Sequence, residues 1–179
     1  HGVRQFHKEA GQFKAAGIRC VEHGPVKAVL RVISEYGKSR IIQDFTVYAE
    51  LDYILVKTTV DWHEQFKMLK LQFPMNLNYL RGSFEIPYGY TQREPDGEEY
   101  PMQSWMDFEG VPPQSATPGV GLSILNDGKS SCDTSGKTAC LTVLRSPIYA
   151  HHEPFVPQED KMYVFQDQGV QQFQYAFYP

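Results

Sequence analysis

The run Leu125-Asn126-Asp127-Gly128-Lys129 sets an amide, a carboxylate and an ammonium side by side, directly after an apolar stretch. Asn-Asp-Gly is turn chemistry, in which the Asn and Asp side chains bond their own backbone. The same groups at a strand end supply the donors and acceptors that a polyhydroxylated ligand needs. Both readings stand for Asn126, Asp127 and Lys129. A second set is carboxylates in or beside apolar runs: Asp44, Asp61, Glu85, Asp107 and Asp127. Acids with displaced pKa values sit in such surroundings, and glycoside hydrolysis needs two of them with different roles. Structural pairing with Arg or with loop amides is the plainer use of an acid on a strand. Trp62 and Trp105 could each offer a stacking face; core packing suits Trp62, and Trp105 is open.

Metal and nucleophile chemistry have less behind them. His151-His152-Glu153 and His63-Glu64 are adjacent donors, but neighbours on a strand point to opposite faces. No HExxH, HxxxH or CxxC spacing occurs, so no metal site is expected. Ser83 and Ser146 lie outside any Gly-x-Ser-x-Gly elbow, and no catalytic residue is assigned. Cys132 and Cys140 flank the turn-like Asp133-Thr134-Ser135-Gly136 and could bridge a hairpin, leaving Cys20 over. Three cysteines in a chain of 179 residues favour reduced thiols, and with them a cytoplasmic location.

The elements that must position these residues are strands. Ala28, Leu30 and Val32 alternate, then Phe45, Val47 and Ala49 after a turn at Gly37-Lys38-Ser39. Ile54, Val56, Val60 and Trp62 share one side of a long run, and Leu69, Leu71 and Phe73 alternate until Pro74. Phe84, Ile86 and Tyr88 repeat the pattern, as do Val120, Leu122 and Ile124, then Leu141, Val143 and Arg145, then Phe173, Tyr175 and Phe177. This period of two predicts an all-β chain, an antiparallel β-sandwich forming a single domain over 1–179. A short helix is conceivable near His7 to Phe13. Two Pro-rich segments, Glu94 to Pro118 and Tyr149 to Asp160, interrupt the strands and are read as functional surfaces or packing arms.

Composition agrees: 11 Tyr and 11 Phe suit pleated surfaces. A net charge of −4 with no Lys/Arg run gives no footprint for nucleic acid. No apolar stretch approaches the ~20 residues that span a bilayer, so no membrane partner is expected.

Several runs, taken in order, resemble the C-terminal region of family 38 glycoside hydrolases, the α-mannosidases. Gly24-Pro25-Val26-Lys27-Ala28 with Tyr36-Gly37-Lys38-Ser39 is similar to the family's entry strand and the turn after it. Val60-Asp61-Trp62-His63-Glu64 and Leu69-Lys70-Leu71-Gln72-Phe73-Pro74 resemble its next two strands. Phe84-Glu85-Ile86-Pro87-Tyr88-Gly89, with Arg93 and Trp105, looks like its Glu-Ile-Pro-aromatic-Gly segment. The Asn126-Asp127-Gly128-Lys129 and Leu144-Arg145-Ser146-Pro147 runs resemble two further signatures, and Asp167-Gln168-Gly169 its closing strand. His1-Gly2 looks like the tail of an Asp-Thr-Trp-Ser-His-Gly motif cut in the middle. The likeness is nearer the bacterial and the cytosolic or lysosome-like branch than the Golgi branch.

The resemblance implies part of a galactose-mutarotase-like supersandwich, a fragment of a larger multidomain retaining exo-α-mannosidase. Zinc and the aspartate nucleophile would belong to an N-terminal domain absent here, since none of their motifs can be matched. This chain would then be a non-catalytic scaffold completing one wall of the sugar pocket. Its partners would be the catalytic and helical domains of the same parent chain, an α-mannoside sugar and a second copy. Asn126, Asp127, Lys129 and Arg145 are the residues expected to touch the sugar or the catalytic domain. Gly128 to Cys132 departs from the family's lysine and aromatic pair, so no aromatic sugar contact is expected from that loop. The connection from His151 to Asp167 also looks longer than usual. An exposed apolar patch is expected where a missing domain docks. Two other functions fit the residues: a free-standing carbohydrate-binding sandwich relying on Trp105, and an aldose mutarotase using His151 or His152 as acid beside a carboxylate base.

Overall fold

The computed structural model describes residues 8–114, 119–149 and 156–179. Alternating apolar residues form β1 (Lys14–His23), β2 (Lys27–Tyr36), β3 (Ser39–Tyr48), β4 (Ile54–Trp62), β5 (Met68–Pro74), β6 (Asn78–Ile86) and β7 (Gly89–Arg93). There follow β8 (Tyr100–Pro101), β9 (Trp105–Val111), β10 (Val120–Asn126), β11 (Ser131–Ser135), β12 (Thr138–Arg145) and β13 (Gly169–Tyr178). They make two antiparallel sheets, one of nine strands in the order β1-β2-β3-β4-β13-β10-β9-β6-β7 and one of four in the order β5-β12-β11-β8. Among the described residues there is no helix; Lys8 to Phe13 is irregular, and His7 lies outside the described residues.

The core lies between the sheets. Val56, Thr58, Val60 and Trp62 of β4 face Leu69, Phe73, Leu141 and Val143 of the smaller sheet, with Met106, Phe108, Ile124, Phe173 and Tyr175 completing the layer. The β2–β3 turn is the two residues Gly37-Lys38, and Gly37 takes φ 56°. A Cβ there would stand 2.4 Å from the Glu64 carboxylate, so glycine serves both the turn and the close approach.

Three expectations are revised. First, Trp105 to Val111 is a central strand rather than part of an irregular segment, because Met106 and Phe108 alternate into the core ahead of Pro112. Second, the Leu141-Val143-Arg145 alternation is broken by a bulge between Thr142 and Leu144, which puts Leu144 opposite Leu69 in the core. Third, Tyr88 leaves the Phe84-Ile86 face: after Pro87 it takes φ 68° in the β6–β7 turn and is fully exposed.

Coverage of the large sheet stops partway across. The ladder row Leu30–Phe45–Val56–Tyr175 runs from β2 to β13 on the inner face. Val56 and Tyr175 are 0% and 3% exposed, but Leu30 is 44% exposed. Ile18 and Val47, also on that face, are exposed at 63% and 49%. Beyond β4, four strands are too few to cover nine, and among the described residues β5 is an edge strand of the small sheet. A gap of about 630 Å³ opens there, lined by Tyr36, Ile41, Gln43 and Trp62 on one side and Met68 to Gln72 on the other.

All three cysteines are free thiols. Cys132 pairs with Leu141 and Cys140 with Asp133, so the two thiols project from opposite faces of the β11–β12 hairpin and cannot meet. Burial pushes both up to about 12, whereas Cys20 is exposed. A thiol-titrating reagent at pH 8 is therefore expected to modify Cys20 alone in the native protein and all three in denaturant. Rapid native reaction of Cys132 or Cys140 would contradict this packing.

Candidate functional site

β2, β4 and β12 finish, and β13 begins, at one end of the sandwich, where Arg145 lies; β10 stops short of that end, at Asn126 opposite Tyr175 of β13. Asn126 is the last residue of β10 and is nearly buried. Its Oδ1 accepts the N–H groups of Gly128 at 3.1 Å and Lys129 at 2.6 Å, while its Nδ2 donates to the Ser104 carbonyl at 3.3 Å. Asp127 Oδ1 accepts the Gln174 N–H at 2.8 Å, and Oδ2 accepts Gln174 Nε2 at 3.3 Å. The Asn126 side chain is thus spent on the turn, and that of Asp127 ties the turn to β13.

Lys129 differs from both. Its Nζ lies 4.8 Å above the Phe173 ring and 3.4 Å from Gln171 Oε1. Burial lowers the ammonium below the usual lysine range, and the nearby Asp167 and Asp127 offset only part of this. Asp167 joins Arg145 to the cluster, since its Oδ2 accepts the Arg145 backbone N–H at 3.0 Å; Arg145 itself is exposed. Lys129 thus meets Gln171 and Arg145 meets Asp167 near the start of β13, whereas Asn126 and Asp127 sit farther along that strand, beside Tyr175 and Gln174. Gln171 of β13 and Asp167, two residues ahead of that strand, were not named as contact residues; both lie far along the chain from Lys129, and Asp167 entered the sequence reading only as part of the closing-strand run.

A neighbouring cluster holds the β2–β3 turn. The Glu64 carboxylate accepts the Lys38 N–H at 2.9 Å, Lys67 Nζ at 3.3 Å and the Ser39 hydroxyl at 3.4 Å. The Lys38 amide holds this carboxyl below its usual range, against a burial effect in the other direction. Gln168 Nε2 donates to the Glu64 carbonyl at 2.9 Å and links the two clusters.

The other acids are structural partners. Asp44 receives a bidentate pair from Arg31 at 2.7 and 2.6 Å, and these hydrogen bonds hold it below the carboxylate range. Asp61 lies 2.8 Å from His63 Nε2, Glu85 accepts the Ser104 N–H at 2.6 Å, and Asp107 accepts the Ser123 hydroxyl at 2.5 Å. Asp44, Glu64 and Glu99 are all displaced downward, the opposite of the raised acid that donates a proton to a leaving group. Ser146 is fully buried and its hydroxyl donates to the Lys67 carbonyl at 3.0 Å, an anchor for the β4–β5 connection. Among the described residues no three His, Cys, Asp or Glu side chains converge to hold a metal ion. His151, His152 and Glu153 lie outside the described residues, as do His1 and Gly2. No helix is long and apolar enough to cross a membrane among the described residues.

A two-sheet antiparallel sandwich with hydrogen-bonded polar clusters along β13 and a partly uncovered inner face defines the class as a β-domain. The family model for the glycosyl hydrolases family 38 C-terminal domain matches residues 4–157. The chain belongs to that family. It is 28% identical over 153 residues to human alpha-mannosidase 2C1, covering 77% of this chain and 14% of that protein. It is 32% identical over 137 residues to the alpha-mannosidase of Saccharomyces cerevisiae, covering 73% of this chain and 11% of that protein. The crystal structure of an alpha-mannosidase from Enterococcus faecalis V583 superposes with a TM-score of 0.72 at 15% identity, over 93% of this chain and 22% of that one. The chain thus spans a small share of the length of the relatives it matches.

Proposed function

We propose that this chain is one domain, the non-catalytic C-terminal β-domain of a retaining exo-α-mannosidase in the cytoplasm. In this reading it scaffolds the sugar pocket of a zinc-dependent catalytic domain, and Lys129, Arg145, Asp127 and Asn126 lie along the contact. The observation that carries the reading is the row Leu30–Phe45–Val56–Tyr175, apolar throughout yet buried at only one end. A sheet face of that composition is made to be covered, and parent-chain segments beyond this one are its natural cover. The likeness to alpha-mannosidases supports the α-mannoside, and the free thiols support the compartment.

Asn126 and Asp127 act here by fixing the turn that aims Lys129, while Lys129 and Arg145 retain contact capacity. The test compares the 179-residue chain with the same chain joined to the rest of its parent, on an aryl α-mannoside. The isolated chain is expected to show no hydrolysis. The full protein is expected to lose at least about tenfold in kcat/KM, roughly 1.4 kcal/mol, on Lys129→Ala. Hydrolysis by the isolated chain, or an unchanged Lys129→Ala enzyme, would count against this reading.

A further inference from the structure

The outer face of the nine-stranded sheet carries a groove that the scaffold reading does not use. It is about 590 Å³ in volume, within the roughly 300–1,000 Å³ span of small-molecule sites. Its floor is one ladder row across five strands: Gln92, Ser83, Asp107, Ser123 and Tyr178, from β7, β6, β9, β10 and β13. The two serines flank the central acid, and their small side chains leave the trough open between taller neighbours. The adjacent row supplies one wall, with Tyr90, Trp105 and Leu125. The Tyr90 and Trp105 rings lie 6.3 Å apart at 42°, so they present a bent aromatic surface rather than a closed stack. Glu109 stands on the other side.

We propose that this groove binds a pyranoside, one or two sugar rings of a glycan. Sugar rings have an apolar C–H face that lies on an aromatic surface and a rim of hydroxyls that both donate and accept. The groove offers both halves. Trp105, Tyr90 and Leu125 form the apolar side, while the polar side mixes acceptors at Asp107 and Glu109 with the Ser83 hydroxyl and the Gln92 amide. Asp107 is fixed in place by the Ser123 hydroxyl at 2.5 Å, so one acceptor is already oriented. A cationic ligand is the competing occupant of an aromatic and acidic groove, but it would leave the Ser83 and Gln92 donors without acceptors. The site does not depend on the mannosidase reading, and either can fail without the other.

The two tryptophans make the test direct, since Trp62 is buried and Trp105 lines the groove. The indole N–H resonances of the 179-residue chain are followed while methyl α-mannoside, an α-linked mannobiose or, separately, an N-acetyl-lysine amide is added. The expected result is a saturable shift of the Trp105 signal with the saccharides, in the ~mM range for so open a groove, and an unmoved Trp62 signal. Tyr90→Ala, Asp107→Asn and the trough-filling Ser123→Leu are each expected to weaken binding by about tenfold or more, with the Trp62 signal reporting an intact fold. Tyr79→Ser, elsewhere on the surface, should change nothing. Absence of a saturable saccharide shift, a shift with the amine alone, or saccharide binding that survives both Tyr90→Ala and Asp107→Asn would each overturn the proposal.

Discussion

Replacing Asn126 by Ala is expected to cost about 2–3 kcal/mol of unfolding free energy, read as a drop in the urea midpoint at unchanged slope. The side chain makes three hydrogen bonds, accepting from Gly128 and Lys129 and donating to Ser104, and its site is nearly closed to water. Alanine leaves two backbone donors without their acceptor in a half-buried turn, and each such loss costs about 1 kcal/mol. Asn126→Asp keeps both accepted bonds but sets a carboxylate oxygen against the Ser104 carbonyl in a nearly closed site, so it should also destabilise, through repulsion rather than through loss of the turn. If Asn126 were mainly a ligand contact, Asn126→Ala would leave the urea midpoint nearly unchanged, which makes the measurement decisive between turn and ligand.

That experiment also shows why the polar turn was only half legible in the sequence. Asn-Asp-Gly announces a turn and a strand end through local chemistry, and the structure confirms both. What the run cannot announce is the fate of each side chain, because the partners come from Ser104 of the β8–β9 connection and Gln174 of β13. The strands were legible wherever one face is buried: Val56, Val60 and Trp62 on β4 alternate with polar residues and do face the core. Strand β9 was hidden by the prolines on both sides of it, although Met106 and Phe108 carried the same signal. The bulge in β12 had no signature, since Val143 and Leu144 are both apolar and either could face inward. Leu30 and Val47 alternate like core residues because they sit on the inner face; that nothing described here covers them is a property of the four-stranded sheet, invisible in β2 or β3 alone. The aromatic groove was legible only as an open question about Trp105, since its floor is assembled from five strands that no local window brings together.

The other large effect concerns the segment that delivers Trp105 and Ser104 to their places. Lys70 of β5 forms ion pairs with Glu99 and Asp133, and Glu99 also accepts hydrogen bonds from Ser131 and Thr142. These side chains are 17%, 11% and 12% exposed, so the triad clamps the β7–β9 connection onto the outer face of the small sheet. Lys70→Met is expected to cost about 3 kcal/mol at pH 7, because it strands two desolvated carboxylates near one another. Neutralising them as well, with Glu99→Gln and Asp133→Asn, should recover most of that loss.

The pH dependence has a definite sign. Burial alone would raise the Glu99 carboxyl, but the hydrogen bonds from Lys70, Ser131 and Thr142 outweigh it and hold the group below its usual range. A carboxyl depressed in the folded state contributes stability above its unfolded pKa, near 4.3 for Glu, and that contribution is lost as pH falls through the folded value. The native protein should therefore weaken on acidification below about pH 4. In Lys70→Met the carboxyls lack their cation, protonation relieves rather than harms them, and the gap to the native protein should narrow over the same interval. Denaturant melts at pH 7 and at about pH 4 read the crossover, and a gap that stays constant would show that the triad contributes no charge-dependent stability. Because Glu99 leads through β8 to Ser104 and Trp105, loosening the clamp should also broaden the Trp105 indole signal while leaving Trp62 sharp. That links an ion-pair cluster on one sheet to both the Asn126 turn and the groove on the other.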